Sequence, residues 1–389
     1  MAVTEFNTSI KQLEQQVSGK NEKGEHILSV LVKRTFSLND NGVCTLADVQ
    51  LPLNEEQQCY ANNDNLLEFD SDLFPYKLFT DIVIKGKARN YDNKPQFDCV
   101  ISLDNQNTAI KVTGNRKPYL NSYNKIAFSE TETLPEVPLR YDYAYGGIDF
   151  EAEKKQVQPP AELIKALLPY IDSTADSPYR YPRNPCGRGY IVELNSNMVD
   201  QLQLPLLEDP EQLLTPETIL VKQPKKWFQM PLPRCTDWVH PAWFPRLAYF
   251  GICSFPDIPP FALKEVKNKW AEPDVAVAKA FGEGFNMRCA NGASLGFQVP
   301  VTTYSRQCRL LNIHPKIKDF VFSFPDHFPR IWIDGRNGKL LETKTTIHSI
   351  TIEPDERRVS VVWRGSEKAL RPYLQTELDT MPYKIKWNK

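Results

Sequence analysis

Three aspartates in the central region, Asp142, Asp149 and Asp237, carry the side chain that general acid-base chemistry uses. Two carboxyl groups held a fixed distance apart, one of them with a raised pKa, hydrolyse sugars or peptides in many enzymes. Spacing along a sequence does not set the distance between two side chains in a fold. A hydrolytic enzyme with a carboxylate pair is therefore one hypothesis, and nothing else in the sequence completes it.

Histidine and cysteine are the next candidates, as metal ligands. The chain has five histidines and eight cysteines, and the cysteines lie at wide spacings without the tight pairing of a zinc ribbon or a disulfide scaffold. Cys235 and His240 are close in sequence, but two residues are not the four ligands of a structural zinc site. We predict no metal and no cofactor, and the cysteine pattern fits a reducing compartment.

Two glycine-containing segments resemble parts of phosphate or anion sites. Gly282-Glu283-Gly284 begins like a dinucleotide fingerprint, but Met287 stands where the third glycine belongs, so a flexible turn is favoured. The segment Asn184-Pro185-Cys186-Gly187-Arg188-Gly189-Tyr190 could form an anion-binding concavity of backbone N–H groups, although a sharp turn is favoured here too. No P-loop and no zinc-binding helix is present in the sequence, and we predict that the protein is not an enzyme.

Aromatic residues concentrate between residues 227 and 255, where prolines separate them. These rings belong to Trp227, Phe228, Trp238, Trp243, Phe244, Tyr249, Phe250 and Phe255. They either fill the core beneath long loops or line a groove for a protein partner. The core interpretation is favoured, and some of the rings could serve both purposes.

Charge and hydropathy limit the classes of partner. The 389 residues are 41% hydrophobic and carry a formal net charge of -1, so no overall field attracts nucleic acid or an anionic membrane. The first residues lack the basic and apolar regions of a signal peptide, and no apolar run approaches the roughly 18 residues of a membrane-spanning helix. We expect a cytoplasmic protein that recognises its partner by shape and local chemistry.

The elements that position these residues are predicted to be strands. Residues 26–38 are rich in β-branched side chains and precede the turn Asn39-Asp40-Asn41-Gly42, which predicts a hairpin into 43–51. The same pattern recurs in the first half at 81–89, 96–103 and 108–114, giving five strands of one antiparallel sheet. Later strands are predicted at 294–302, 307–313, 319–324, 330–334, 344–352 and 357–364.

The predicted fold class is mainly β, with antiparallel sheets in sandwich or barrel-like halves, long proline-rich loops and a few short helices. Thirty-one prolines interrupt ladders and helices alike, and helical periodicity is confined to short pieces such as 160–168. We predict a β-rich N-terminal domain at 1–130 and a loop-rich, aromatic and proline-rich central region at 131–290. A β-rich C-terminal region at 291–389 is expected to pack with the rest.

A series of short segments runs in order over about three-quarters of the chain. They cover residues 69–73, 80–88, 111–116, 137–147, 184–190, 243–248, 285–286, 310–315 and 359–365. Together they resemble the bacterial family known as domain of unknown function 2169. Gly251-Ile252-Cys253-Ser254-Phe255 and Arg288-Cys289-Ala290-Asn291-Gly292 depart from the family pattern. If those segments contact a partner protein, the partner of this chain differs from the partners of most family members.

The resemblance implies a cytoplasmic, non-catalytic adaptor or chaperone. It would bind a type VI secretion effector toxin and help load it onto the VgrG spike or its PAAR tip, without nucleic acid or membrane partners. The residues predicted to shape the partner-binding surface are Tyr145, Gly187, Arg188, Trp243 and Arg246. Trp363 and Arg364 are expected in the core. Besides the hydrolytic enzyme, a structural component of the secreted particle is the remaining alternative.

Overall fold

Strands form most of the regular structure in the computed structural model, which describes residues 10–103, 106–156, 179–192, 199, 201–221, 227, 229–249, 287–294, 296–301, 307–334 and 338–388. The helix predicted at 160–168, the turn at 282–284 and the divergent segment at 251–255 lie outside these residues. None of the helices in the described ranges combines the length and apolar character that crossing a membrane requires.

The strands of the described ranges are numbered in chain order. They are β1 (Glu14–Lys20), β2 (His26–Leu38), β3 (Cys44–Leu46), β4 (Gln58–Tyr60), β5 (Asn63–Phe69), β6 (Phe79–Ile84), β7 (Lys87–Arg89), β8 (Gln96–Leu103), β9 (Gln106–Thr113), β10 (Pro118–Leu120), β11 (Ile126–Phe128), β12 (Glu136–Pro138), β13 (Tyr145–Gly146), β14 (Arg188–Gly189), β15 (Leu207–Glu208), β16 (Gln298–Pro300), β17 (Gln307–Leu311), β18 (Asp319–Ser323), β19 (Pro329–Asp334), β20 (Leu340–Glu342), β21 (Thr346–Glu353), β22 (Arg358–Lys368) and β23 (Tyr383–Trp387). Within the same described ranges the α-helices are α1 (Ile10–Leu13), α2 (Phe150–Gln156), α3 (Arg246–Tyr249) and α4 (Gln375–Leu378), with 3-10 turns at Tyr141–Tyr143 and Met287–Ala290.

The largest sheet has seven strands in the order β1-β2-β22-β21-β6-β16, with β3 beside β2. β2 and β22 pair antiparallel from Ile27 opposite Lys368 to Ser37 opposite Arg358. β6 runs parallel to β21 and antiparallel to β16. β2 and β6 are buried along nearly their whole length, as expected for strands covered on both faces.

A five-stranded sheet in the order β15-β9-β8-β17-β18 packs against this one. β8 alternates strictly, with Phe97, Cys99, Ile101 and Leu103 buried and the residues between them turned toward solvent. The buried faces of both sheets belong to one hydrophobic cluster, which also takes in Ile331 and Ile333 of the three-stranded sheet β20-β19-β23. A shared core between packed sheets is the arrangement of a sandwich.

The mainly β prediction is confirmed, and so are the hairpin from β2 into β3 and the later strands. The five early strands do not form one antiparallel sheet, however: β2, β3 and β6 belong to the large sheet, whereas β8 and β9 belong to the other. The reason is that β6 has apolar side chains on both faces and is completed by β21, a strand far away in sequence. The division into three domains stays a prediction, and the large sheet combines strands from 1–130 and 291–389.

Candidate functional site

A pocket of about 610 Å³, counting its open mouth, lies where the β4–β5 hairpin meets two irregular loops. Asn65 of β5 contributes one wall, Pro182, Pro185 and Cys186 a second, and His240 and Trp243 a third. We call this the central pocket. Its walls come from the segments that the sequence marks as rich in proline and aromatic residues.

Backbone contacts hold the loop that carries Cys186. The Asn184 side-chain amide donates to the carbonyls of Tyr141 and Tyr145, at 2.8 and 3.1 Å. The N–H groups of Gly187 and Arg188 donate to the carbonyls of Asn184 and Ala144, and β13 pairs with β14. Because these N–H groups already have carbonyl acceptors, the turn interpretation of this segment is confirmed.

Close approach of the backbone explains Gly187. A Cβ atom there would lie 2.5 Å from the Asn184 side-chain nitrogen and 2.6 Å from the Ala144 carbonyl oxygen. We therefore expect Gly187→Ala to lower the free energy of unfolding by about 1–3 kcal/mol, the usual cost of overpacking. Urea denaturation of the full chain measures this loss.

Gly86→Ala is the matched control, because the nearest atom to a Cβ at Gly86 is 3.5 Å away, an ordinary van der Waals contact. It should leave the unfolding midpoint nearly unchanged. Equal losses for the two variants would contradict the argument that crowding at Gly187 sets the effect.

The aromatic segment fills the core beneath the pocket. Trp227, Trp238, Trp243, Phe244 and Tyr249 are all at most 8% exposed. The Trp243 ring meets Tyr141 edge-on at 5.3 Å, and Trp227 meets Phe244 in the same way at 4.9 Å. The core interpretation is confirmed for these five rings, and Phe228, Phe250 and Phe255 lie outside the described residues.

A buried ion pair anchors the base of the aromatic segment. Arg246 Nη2 lies 2.6 Å from Asp70 Oδ2, and both side chains are at most 2% exposed. Its other nitrogens donate to the carbonyls of Cys289 and Val239 at 2.8 and 2.9 Å. Arg246 thus connects the aromatic segment to the end of β5 and to the turn at Met287–Ala290.

His240 supplies an uncharged wall of the central pocket. Its Nδ1 accepts the N–H of Ala242 at 3.1 Å, and its ring lies 5.9 Å from that of Trp243. Burial, reinforced by the positive charge of Arg246, lowers the pKa of His240 to about 4. The imidazole is therefore neutral at physiological pH.

A series of cation–π contacts lies beside the pocket, next to the β4–β5 hairpin. Arg188 lies 4.3 Å from the centroid of the Tyr143 ring, and Arg140 lies 4.5 Å from that of Tyr60. Lys85 follows, 5.0 Å from the Tyr60 centroid. Cation–π contacts of this kind fix long side chains in place, so the half-buried surface beside the pocket is preorganised.

The three aspartates of the hydrolase hypothesis are engaged by the protein itself. Asp142 accepts a two-pronged contact from Arg140 at 3.1 and 2.7 Å. Asp149 accepts the N–H of Ala152 at 3.1 Å in the first turn of α2 and the N–H of Val192 at 2.9 Å. Asp237 is 1% exposed and accepts the Tyr60 hydroxyl at 2.7 Å. All three stabilise local structure, and the enzyme hypothesis stays untested.

Burial raises the pKa of Asp237 to about 6, against the opposing effects of Lys85 and the Tyr60 hydroxyl. An unfolded aspartate titrates near 4, so between about pH 4 and 6 the folded chain holds a proton that the unfolded chain releases. The stabilising contribution of this proton is complete below pH 4 and is lost as the pH rises to 6. The free energy of unfolding of Asp237→Asn, relative to that of the wild type, should therefore rise by up to about 3 kcal/mol as the pH increases from 4 to 7.

Urea denaturation of both proteins at each pH measures this difference, and other titrating groups cancel in the comparison. Asp319→Asn is the control with opposite sign, because hydrogen bonding to Arg309 lowers the pKa of Asp319. A stability difference between Asp237→Asn and the wild type that does not change with pH would contradict the prediction.

The five predicted partner-binding residues lie close to the pocket but differ in exposure. Tyr145, Trp243 and Arg246 are at most 2% exposed, whereas Gly187 and Arg188 are half-buried. Of the five, Trp243 lines the pocket, Tyr145 and Arg246 lie in the interior, and the Arg188 side chain lies beside Tyr143. Their part in partner binding stays a prediction. Trp363 and Arg364 are buried, as expected.

Sequence reasoning missed the buried carboxylates that hold this region together. Asp81 Oδ2 lies 2.7 Å from Lys77 Nζ, and its two oxygens also accept from the Asn291 amide and from the N–H groups of Gly292 and Ala293 at 3.1–3.2 Å. A charged residue inside an apolar strand, as in Thr80-Asp81-Ile82-Val83, was the available signal.

Metal-binding groups do not cluster in the described part of the chain, where no three histidine, cysteine, aspartate or glutamate side chains come together. The seven cysteines described there are free thiols, and Cys253 lies outside it.

Comparison with known proteins identified one family. A family described as "Uncharacterized protein conserved in bacteria (DUF2169)" matches residues 23–364, which include every wall of the central pocket. No curated protein and no solved structure matches the chain.

Proposed function

Because the chain belongs to the DUF2169 family of uncharacterized bacterial proteins, we propose that it acts as the sequence resemblance implies, as a non-catalytic adaptor or chaperone. It binds a type VI secretion effector toxin in the cytoplasm and helps load it onto the VgrG spike or the PAAR tip. The effector is held on loops that the β scaffold keeps rigid.

The observation that supports this proposal is the preformed central pocket. Its proline and tryptophan walls are fixed by core packing, and the histidine that faces it is neutral. The nearby Asp142 and Asp237 are occupied by Arg140 and Tyr60. Arg180, which also lines the pocket, is paired with Glu153 at 2.7 Å. A rigid concavity of this kind is suited to holding a side chain of a protein partner, since little conformational entropy is lost on binding.

The test is purification of the tagged chain from its native host, followed by mass spectrometry of what remains bound. A toxin and a spike or tip protein should co-purify, and the complex should not hydrolyse peptidoglycan, lipid or nucleic acid. Turnover of any of these would favour the hydrolytic enzyme instead. Secretion of the chain into the culture medium together with the spike would favour a structural component of the particle.

Ala242→Arg locates the binding surface, because Ala242 is an exposed residue on the wall of the central pocket. The arginine side chain should fill the pocket and abolish co-purification of the toxin. Val49→Arg is the matched control, because Val49 is 63% exposed and is not among the residues lining the pocket. It should bind the toxin like the wild type.

A further inference from the structure

Arg188 begins β14, on the loop that also carries Cys186 into the wall of the central pocket. Its N–H donates to the Ala144 carbonyl at 2.9 Å, and it lies opposite Tyr145 in the pairing of β13 with β14. The glycine before it, Gly187, is packed closely against the same Ala144 carbonyl. These contacts fix the position from which the Arg188 side chain projects.

Two further contacts fix the guanidinium of Arg188. Its Nε donates to the backbone carbonyl of Asp142 at 2.6 Å. Its Cζ atom lies over the Tyr143 ring, 4.3 Å from the ring centroid, so the cation is also attracted to the ring face. Because neither contact uses a terminal nitrogen, the planar group is oriented while its outer edge stays available.

In the described part of the chain, the terminal nitrogens of Arg188 have no acceptor. Neither Nη1 nor Nη2 makes a hydrogen bond there, and none of the described carboxylates lies within ion-pair distance of the side chain. Both atoms reach solvent, unlike Nε of Arg116 and of Arg234, which are enclosed without acceptors. A guanidinium has five N–H donors, and the described residues accept only the one on Nε. The others are available to a ligand.

Arg188 differs in this from the other cations in the series of cation–π contacts. Arg140 donates from two nitrogens to the two oxygens of Asp142, and Lys85 Nζ lies 3.7 Å from Glu68 Oε1. The Asp142 carboxylate is near Arg188, but its charge is already compensated by Arg140. Arg188 is thus the member of the series for which the described residues supply no counter-charge.

This arrangement suits a carboxylate. The two terminal nitrogens of a guanidinium present parallel N–H bonds that match the two oxygens of a carboxylate, and such charge-assisted pairs are strong hydrogen bonds. A phosphate ester would bring up to two negative charges, whereas Arg140 and Lys85 already have carboxylates of their own. An ordered guanidinium also loses less side-chain entropy on binding than a mobile one.

We propose that Arg188 binds a carboxylate of the protein partner, with Nη1 and Nη2 each donating to one of its oxygens. Two residues of extended chain span at most about 7 Å, so Arg188 lies near Cys186 in the pocket wall. One partner therefore contacts the central pocket and Arg188 together, and the arginine selects partners with an acidic group at this place. From the proposed function this takes only that the partner is a protein.

NMR of the full-length chain with isotope-labelled arginine tests the site directly, without a partner. The probes are N-acetylglutamate N-methylamide, which carries a side-chain carboxylate, and N-acetylglycine, which carries a chain-terminal one. A carboxylate should shift the guanidinium signals of Arg188 in a saturable way, because it changes the environment of the N–H groups that it binds. The Arg309 signals are the internal control and should not shift, because Arg309 already donates to both oxygens of Asp319.

Two further probes define the ligand. N-acetylglutamine N-methylamide has the shape of the first probe without its charge, and it should leave the Arg188 signals unchanged. A response to the glutamate probe alone identifies an acidic side chain as the source of the carboxylate, and a response to N-acetylglycine alone identifies a chain terminus. If neither carboxylate shifts the Arg188 signals, or if inorganic phosphate binds more tightly than both, the proposal is wrong.

Arg188→Lys separates the geometry of the fork from its charge. Lysine keeps the positive charge but presents a single nitrogen, so the co-purified toxin should bind at least about tenfold more weakly, a difference of about 1.4 kcal/mol. Arg309→Lys is the matched control, because Arg309 is an exposed residue of β17 that is paired with Asp319, and it should bind the toxin like the wild type. Titration calorimetry measures the affinities, and urea denaturation checks that both variants are folded. Equal affinity of Arg188→Lys and the wild type would contradict the two-pronged contact.

The carboxylate site and the adaptor function fail separately. If the carboxylate probes shift the Arg188 signals but no toxin co-purifies with the chain, the site stands and the adaptor function does not. If the toxin co-purifies and binds Arg188→Lys like the wild type, while the probes leave the Arg188 signals unchanged, the adaptor function stands and the site does not.

Discussion

Replacing Arg246 with methionine is expected to lower the free energy of unfolding by about 3–5 kcal/mol, the range for breaking a buried ion pair. Methionine keeps an apolar chain but leaves the Asp70 carboxylate without its cation, and that carboxylate is fully buried. The carbonyls of Cys289 and Val239 also lose their donors. Urea denaturation followed by tryptophan fluorescence measures the loss.

The control is Arg309→Met. Arg309 contacts Asp319 at 2.7 Å, but the two side chains are 45% and 47% exposed, and solvent and salt screen such a pair, so its loss should change stability little. A loss for Arg246→Met no larger than that for Arg309→Met would mean that Arg246 does not hold the central segment. Arg246 would then contribute to partner binding and not to stability.

Asp81→Ala should have an effect of similar size, about 3–5 kcal/mol, for the same physical reason. It leaves the ammonium of Lys77, which is 1% exposed, without a counter-charge. It also removes the acceptor of the Gly292 and Ala293 N–H groups, which connect β6 to the segment before β16. Equilibrium unfolding of the variant in urea measures the change.

A double variant separates charge from packing. When Lys77→Met accompanies Asp81→Ala, the free energy of unfolding should fall by less than it does for Asp81→Ala alone, because no uncompensated charge remains buried. Asp98→Ala is the surface control, since Asp98 contacts Lys111 at 2.7 Å and is 48% exposed. A double variant less stable than Asp81→Ala would contradict the charge argument.

Local pattern was sufficient to predict the strands but not their partners. The β-branched segments that became β2, β21 and β22 are visible in the sequence because burial of β-branched residues leaves a local signature. The parallel pairing of β6 with β21 has no such signature, because it depends on the packing of the whole sheet. Closeness in sequence therefore predicts one sheet for the early strands, whereas their contacts divide them between two sheets.

The candidate site shows the same limit. The sequence predicts the rings of Trp227 and Trp238 in the core because an aromatic side chain is stabilised by burial almost anywhere. Arg246 was expected to shape a surface, because an arginine is buried only when a partner neutralises it. That partner, Asp70, lies 176 residues away in the chain, and nothing local connects the two.

The pairing of β2 with β22 has a consequence for synthesis on the ribosome. The hydroxyls of Ser29 and Ser366 meet at 2.8 Å although 337 residues separate them. β2 therefore leaves the exit tunnel long before the strand that covers its open edge, and contacts so distant in sequence form slowly. During translation this nascent strand needs protection from other chains, and a ribosome that stalls before residue 358 would release a product prone to aggregation.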